Sequence, residues 1–151
     1  MKASLTGKEK GTMADVRLEI EIAAPIRKVF DFVADVETHP LYAEFVGSVK
    51  ITSAKKRGIG VTFQQVHKET GAVRDSEIIE FVQNERVTWV SRGGSGETLV
   101  NYWFKETPMG TKLIHAASSS AFDDPVRRDS VYKDNEKELA NLKKMMEERE
   151  G

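Results

Sequence analysis

Three histidines, His39, His67 and His115, are the chain's full complement of imidazoles, and an imidazole is the side chain best suited to moving protons near neutral pH or to holding a metal ion. They fall on different predicted elements, without the close pairing of zinc motifs such as H-E-x-x-H, so no metal site is expected. The chain has no cysteine, which removes thiolate metal sites, iron–sulfur clusters, cysteine nucleophiles and disulfide frameworks together. No cofactor is expected either. His115 is the candidate for acid–base work, because an inward strand position would hold it near a ligand, and Tyr102 is the second catalytic candidate. His39 precedes Pro40 in a predicted break between helices, where a solvated loop residue is expected.

Other chemically suggestive groups have plainer readings. Asp75 and Glu77 share a strand face and could work as paired carboxylates, but Ile78 and Ile79 compete for the inside, so the register is open and the acids are expected to face solvent. Gly93-Gly94-Ser95-Gly96 lacks the Gly-Lys-Ser/Thr ending of a phosphate loop and precedes a strand, so it reads as a hairpin turn. Ser118, Ser119 and Ser120 have neither an adjacent histidine nor an elbow motif, and read as strand-end residues. Lys55, Lys56 and Arg57 make a small basic turn on a solvated loop.

The elements that would position these groups follow from periodicity. Val16, Leu18, Ile20 and Ile22 alternate with Arg17, Glu19 and Glu21, which predicts a strand with one wet face. Pro25 suits a first helical turn, and Ile26, Val29, Phe30, Val33 and Val36 follow at helical spacings. Asp35 to Pro40 should break that helix, with one more short turn over Leu41 to Phe45. Six strands then follow, at approximately Val49 to Ala54, Gly60 to Lys68, Val73 to Val82, Arg86 to Arg92, Glu97 to Thr107, and Lys112 to Ser120, separated by turn-rich runs of two to four residues that make hairpins. A long helix begins at Asp123 or Asp124 as cap with Pro125 in its first turn, and runs to Arg149. Its apolar stripe is Val131, Leu139, Leu142, Met145 and Met146, with Asn135 in the missing step.

With 151 residues, one core is expected. Twenty-three basic against 24 acidic residues give a formal charge of −1, so no global field draws nucleic acid, and nucleic-acid partners are not expected. The most apolar stretch, Val29 to Val36, contains Asp31 and Asp35, so no stable membrane insertion is expected. Residues Met1 to Thr12 are polar and lack the apolar region of a secretory signal. They read as a flexible extension ahead of one domain over residues 13–151, and a cytoplasmic location is expected.

The order of elements is an α+β arrangement: a seven-stranded curved antiparallel sheet wrapped on a long C-terminal helix, with two short helices after strand one. Such a sheet cannot be filled by the helix alone, which leaves room for an internal apolar space. Strand alternation turns Phe63, Gln65, Trp89, Val100, Tyr102, Phe104, Leu113 and His115 inward. The segments IEIAAPIRKVFDFVADVETHPLYAEFV (Ile20 to Val46), SEIIEFVQNERVTWVSRGG (Ser76 to Gly94) and NEKELANLKKMME (Asn135 to Glu147) resemble the SRPBCC or START-like superfamily, the helix-grip fold of polyketide cyclases and lipid-transfer domains. The resemblance implies that Val131, Asn135 and Leu139 lie near a cavity entrance, and that the segment holding Tyr42 and Phe45 forms a wall or gate. It implies a carrier or sensor of a small, largely hydrophobic or lipid-like molecule, with Tyr102, His115, Gln65 and Asn135 as orienting groups. The alternatives are a cyclase- or dehydratase-like enzyme using the same cavity, or a protein-partner module of coenzyme-Q-binding or co-chaperone type, with a homodimer among the possible assemblies.

Overall fold

The structure is a computed structural model that describes residues 14–94 and 96–150. The expected extension over Met1 to Thr12 lies outside the described residues, as does Ser95 in the glycine-rich turn. Seven strands form one antiparallel sheet: β1 (Ala14–Ile22), β2 (Val46–Ile51), β3 (Thr62–His67), β4 (Val73–Val82), β5 (Arg86–Gly93), β6 (Gly96–Glu106) and β7 (Thr111–Ser119). Their order across the sheet is β1-β7-β6-β5-β4-β3-β2. Helices α1 (Ile26–Ala34) and α2 (His39–Tyr42) therefore carry the chain from one edge of the curved sheet to the other, and α3 (Pro125–Glu150) packs along β1.

Each element answers a local pattern. In β1, Val16 and Ile22 are buried, Leu18 and Ile20 are half-buried, and the intervening charged residues are exposed. Phe30 of α1 meets the edges of Phe81 at 5.3 Å and Phe104 at 5.0 Å, an aromatic wedge that seals one end of the sheet. The ambiguity between Ile78 and Ile79 is resolved by a β-bulge between Ile78 and Glu80. The extra residue lets both Ile78 and Phe81 face the core while Ile79 stays exposed. Asp75 is exposed and accepts from Gln64 Nε2 at 3.0 Å, so the two acids of β4 are not a buried pair.

The second short helix and the start of β2 differ from expectation for physical reasons. The second short helix was expected at Leu41 to Phe45 and forms at His39–Tyr42, behind a 3-10 turn at Val36–Thr38. Asp35 accepts from the Glu37 amide at 3.1 Å, and the Thr38 hydroxyl donates to Phe32 O at 2.7 Å. These bonds turn the chain sharply enough that Pro40 lies in the first turn of the next helix, where a missing N–H costs nothing. His39 thereby becomes a buried helix-start residue rather than a solvated loop residue. Strand β2 starts at Val46 rather than Val49, since Val46 pairs with His67 and a bulge at Gly47 takes up the extra residue.

Arg57 of the basic turn donates to Asp31 at 3.1 Å and Gln83 at 2.6 Å, and lies 5.0 Å over the Phe81 ring. It ties the loop to the aromatic wedge. At the β6–β7 turn, Gly110 has φ +154, and a Cβ there would come within 2.6 Å of Ile22 O, so only glycine lets this turn approach β1 so closely.

The terminal helix is capped by Asp124, whose side chain accepts from Val126 N at 3.0 Å. Its C-terminal half is locked down by Lys143 donating to Glu21 O at 2.8 Å, Glu147 accepting from Ala23 N at 2.8 Å, and Asn141 donating to Tyr42 O at 3.1 Å. Among the described residues no helix is long and apolar enough to cross a membrane.

Candidate functional site

Side chains facing α3 change size along the strands. Towards α1 they are bulky: Val87, Phe104 and Leu113 are buried in the main core. Towards the other end, β5 presents Ser91, β6 presents Thr98, and β7 presents Ala117 and Ser119. Small residues leave space there, and a cavity of about 630 Å³ lies between the sheet and the N-terminal half of α3. The helix contributes Arg127, Ser130, Val131, Asp134, Asn135 and Glu138, a stripe at three- and four-residue steps. Further along the same helix, Leu139, Leu142 and Met146 pack into the solid core. One helix thus serves two purposes, lining in its first half and core in its second.

The cavity opens where Thr70, Ala72 and Val73 of the β3–β4 hairpin, Gly94 of the β5–β6 turn, and Arg127 and Ser130 of α3 come together. All six are exposed. Arg74 on this rim donates to Ser91 O at 2.8 Å and Gly96 O at 2.9 Å. Burial, and then repulsion from Arg127, pulls its guanidinium below the ordinary value.

The inner end is different. Glu138 is 1% exposed, and His39, His115, Asn135 and Tyr102 around it are equally enclosed. Tyr102 donates from its hydroxyl to Glu138 Oε2 at 2.6 Å, and His39 Nε2 stands 3.5 Å from the same oxygen. On its other side His39 Nδ1 meets Gln65 Nε2 at 2.7 Å. With the amide donating to Nδ1, the neutral ring carries its proton on Nε2, which faces Glu138. Tyr102 lies directly across the ladder from His115, which brings their rings to 4.6 Å edge to face.

Burial pushes the Glu138 carboxyl up, but the imidazoles of His115 and His39 and the Tyr102 hydroxyl outweigh it and hold the group below the usual carboxylate range. Burial drives His115 below the ordinary imidazole value, against attraction to Glu138 and helped by repulsion from His39. Burial followed by the nearby Glu138 charge raises Tyr102 well above the ordinary phenol value, so it stays a donor. Four buried atoms of this cluster have no hydrogen-bond partner among the described residues: His39 Nε2, His115 Nδ1, Asn135 Nδ2 and Glu138 Oε1.

Removing the short bond should be measurable. Tyr102→Phe is expected to cost about 1–3 kcal/mol in urea unfolding, because it strips a buried carboxylate of its best donor. A loss below about 0.5 kcal/mol would mean that Tyr102 does not support Glu138.

Of the residues expected at the site, Phe45, Gln65, Trp89, Val100, Tyr102, His115, Val131 and Asn135 border this space. Tyr42, Phe63, Phe104, Leu113 and Leu139 are instead packed in the core. Within the polar cluster at the inner end, His39 and Glu138 are the two that sequence reasoning passed over. Glu138 had a signal, since it lies three residues after Asn135 and four before Leu142 on one helix face. Among the described residues no three carboxylate or imidazole groups are arranged to hold a metal ion.

A family model described as polyketide cyclase / dehydrase and lipid transport matches residues 13–147. Among solved structures, the di-domain ARO/CYC protein StfQ from the steffimycin biosynthetic pathway superposes with a TM-score of 0.76 at 11% identity, over 93% of this chain and 52% of that one. A Thermus thermophilus protein gives 0.73 at 18% identity, over 87% and 95% of the two chains. The Aha1 dimer from Colwellia psychrerythraea gives 0.71 at 15%, over 89% and 97%. At such identities the likeness is one of fold. No curated protein sequence matches the chain.

Proposed function

Because the chain belongs to the polyketide cyclase / dehydrase and lipid transport family, we propose that it binds a small, largely hydrophobic molecule in the space between the sheet and the first half of α3, as a carrier or sensor. The observation that carries this reading is the about 630 Å³ cavity, with Trp89, Val100, Ala117 and Val131 among its walls, the Glu138 cluster at its inner end and Arg74 and Arg127 at its rim. Apolar walls supply affinity: withdrawing about 200 Å² of ligand hydrocarbon from water is worth about 5 kcal/mol at 25 cal/mol per Å². Polar ends supply orientation. The activity fits a cytoplasmic setting, in keeping with the cysteine-free sequence.

The test is direct. Organic extraction of the purified protein followed by mass spectrometry should release a hydrophobic molecule at close to one per chain, and the extracted protein should take up an uncharged hydrophobic fluorophore at the same stoichiometry. Neither a retained molecule nor uptake would reject the reading.

A second reading, a cyclase- or dehydratase-like enzyme, is favoured by the Tyr102–Glu138–His39 contacts, since a buried carboxylate hydrogen-bonded to a phenol and facing an imidazole is equipped to relay a proton. In that case His115→Ala and Tyr102→Phe should both lower turnover of a substrate found by screening, and unchanged turnover in both would remove those residues from catalysis.

A further inference from the structure

The unpartnered atoms at the inner end set conditions on what can sit there. Glu138 Oε2 accepts from Tyr102 and stands 3.5 Å from His39 Nε2, whereas Oε1 is buried and has no donor. Asn135, one turn earlier on the cavity-facing stripe of α3, has a buried Nδ2 with no acceptor. An unmet acceptor on a carboxylate and an unmet amide donor one turn away each carry an uncompensated desolvation cost if nothing reaches them. Both residues border the cavity. A guest that satisfies them must donate one hydrogen bond and accept another.

That requirement separates ligand classes. A carboxylate or phosphate would bring a second negative charge beside a buried, ionised Glu138, where water cannot screen the repulsion. An ammonium could donate to Oε1, but it has no lone pair for Asn135 and would bury a cation beside the Nε2 proton of His39. A ketone or ether accepts and cannot donate. A hydroxyl does both with one atom, and an uncharged alcohol or phenol has little desolvation cost by comparison.

We propose that the inner end of the cavity is a hydroxyl site: an apolar alcohol or phenol enters hydroxyl first, donating to Glu138 Oε1 and accepting from Asn135 Nδ2, with its hydrocarbon body along Trp89, Val100 and Ala117. This assignment rests on the cavity-binding reading above and narrows its ligand class. It also gives the polar cluster a role in selectivity: Tyr102 and His39 position the Glu138 carboxylate so that its second oxygen faces the guest.

The test uses three probes with one aromatic body, 2-naphthol, 2-methoxynaphthalene and 2-naphthoate, titrated calorimetrically into the whole protein. A hydrogen bond to a carboxylate is strong enough that 2-naphthol should bind at least about tenfold more tightly than its methyl ether. In Glu138→Gln, checked for native circular dichroism, that ratio should fall to about threefold or less, with ether binding unchanged within about twofold. The wild-type ratio stands by itself if the variant fails to fold. Equal binding of naphthol and ether in the wild-type protein would overturn the hydroxyl site while leaving the cavity reading intact. So would 2-naphthoate binding more tightly than 2-naphthol. Failure of both uncharged probes to bind would instead remove the cavity reading on which the assignment rests.

Discussion

Val100→Trp is expected to weaken uptake of an uncharged fluorophore such as N-phenyl-1-naphthylamine by well over tenfold while leaving the fold intact. Val100 sits mid-strand on β6, opposite Trp89 on one side and Ala117 on the other. It is only half-buried, and it borders the cavity. An indole at this position projects into open space rather than into packed neighbours, so it should not incur the overpacking cost of a core substitution. Filling the middle of the cavity would deny a guest about half of the roughly 200 Å² it could otherwise bury. That is about 2.5 kcal/mol, or roughly seventyfold in affinity. Fluorophore titration measures the loss, and urea unfolding should show stability within about 1 kcal/mol of the parent. Undiminished uptake in a folded variant would put the binding space elsewhere.

Stability should decline on acidification in two stages. His115 has its folded pKa pushed below the ordinary imidazole value by burial, so the unfolded chain takes up that proton first. Its contribution is complete above about pH 6.5 and is lost as pH falls through the lower folded value. Glu138 is also depressed in the folded state. Its contribution is complete above about pH 4.3 and disappears only as pH falls through a still lower value. Each proton can contribute a slope of at most about 1.4 kcal/mol per pH unit. Tyr42 and Tyr102, both raised by burial and then by Glu138, act in the opposite sense, and stability should fall as pH rises beyond about 10. Urea midpoints between pH 7.5 and 5 would reveal the first stage, and His115→Leu should flatten it. A flat profile in the parent protein, or an unchanged slope in the variant, would contradict a neutral buried His115.

Much of the architecture was legible because hairpin strands and an amphipathic terminal helix leave strong periodic traces. Alternation correctly set Trp89, Val100, Tyr102 and His115 on the face that meets α3, since one residue of slippage would expose all of them. Alternation says which face a residue takes, and not where along the strand the packing gives way to space. Phe63, Phe104 and Leu113 share that face and yet lie in the packed core, outside the space. The step from bulky Leu113 through His115 to Ala117 and Ser119 is the sequence trace of the transition. Glu138 was harder to read. A glutamate in a helix rich in Lys and Glu ordinarily faces water, and only its partners on α2 and β6, distant in sequence, make burial tolerable. His39 was hidden by the Asp35 and Thr38 side-chain bonds that convert an apparent helix break into a helix start.

The most direct test of the central claim is a crystal structure at high resolution of the protein purified without solvent extraction. Continuous density for a bound molecule should occupy the space bounded by Trp89, Val100, Ala117 and Val131, with a polar atom of that molecule in contact with Glu138. An interior in which those side chains touch one another, with no room for a guest and no opening at the β3–β4 hairpin, would contradict it.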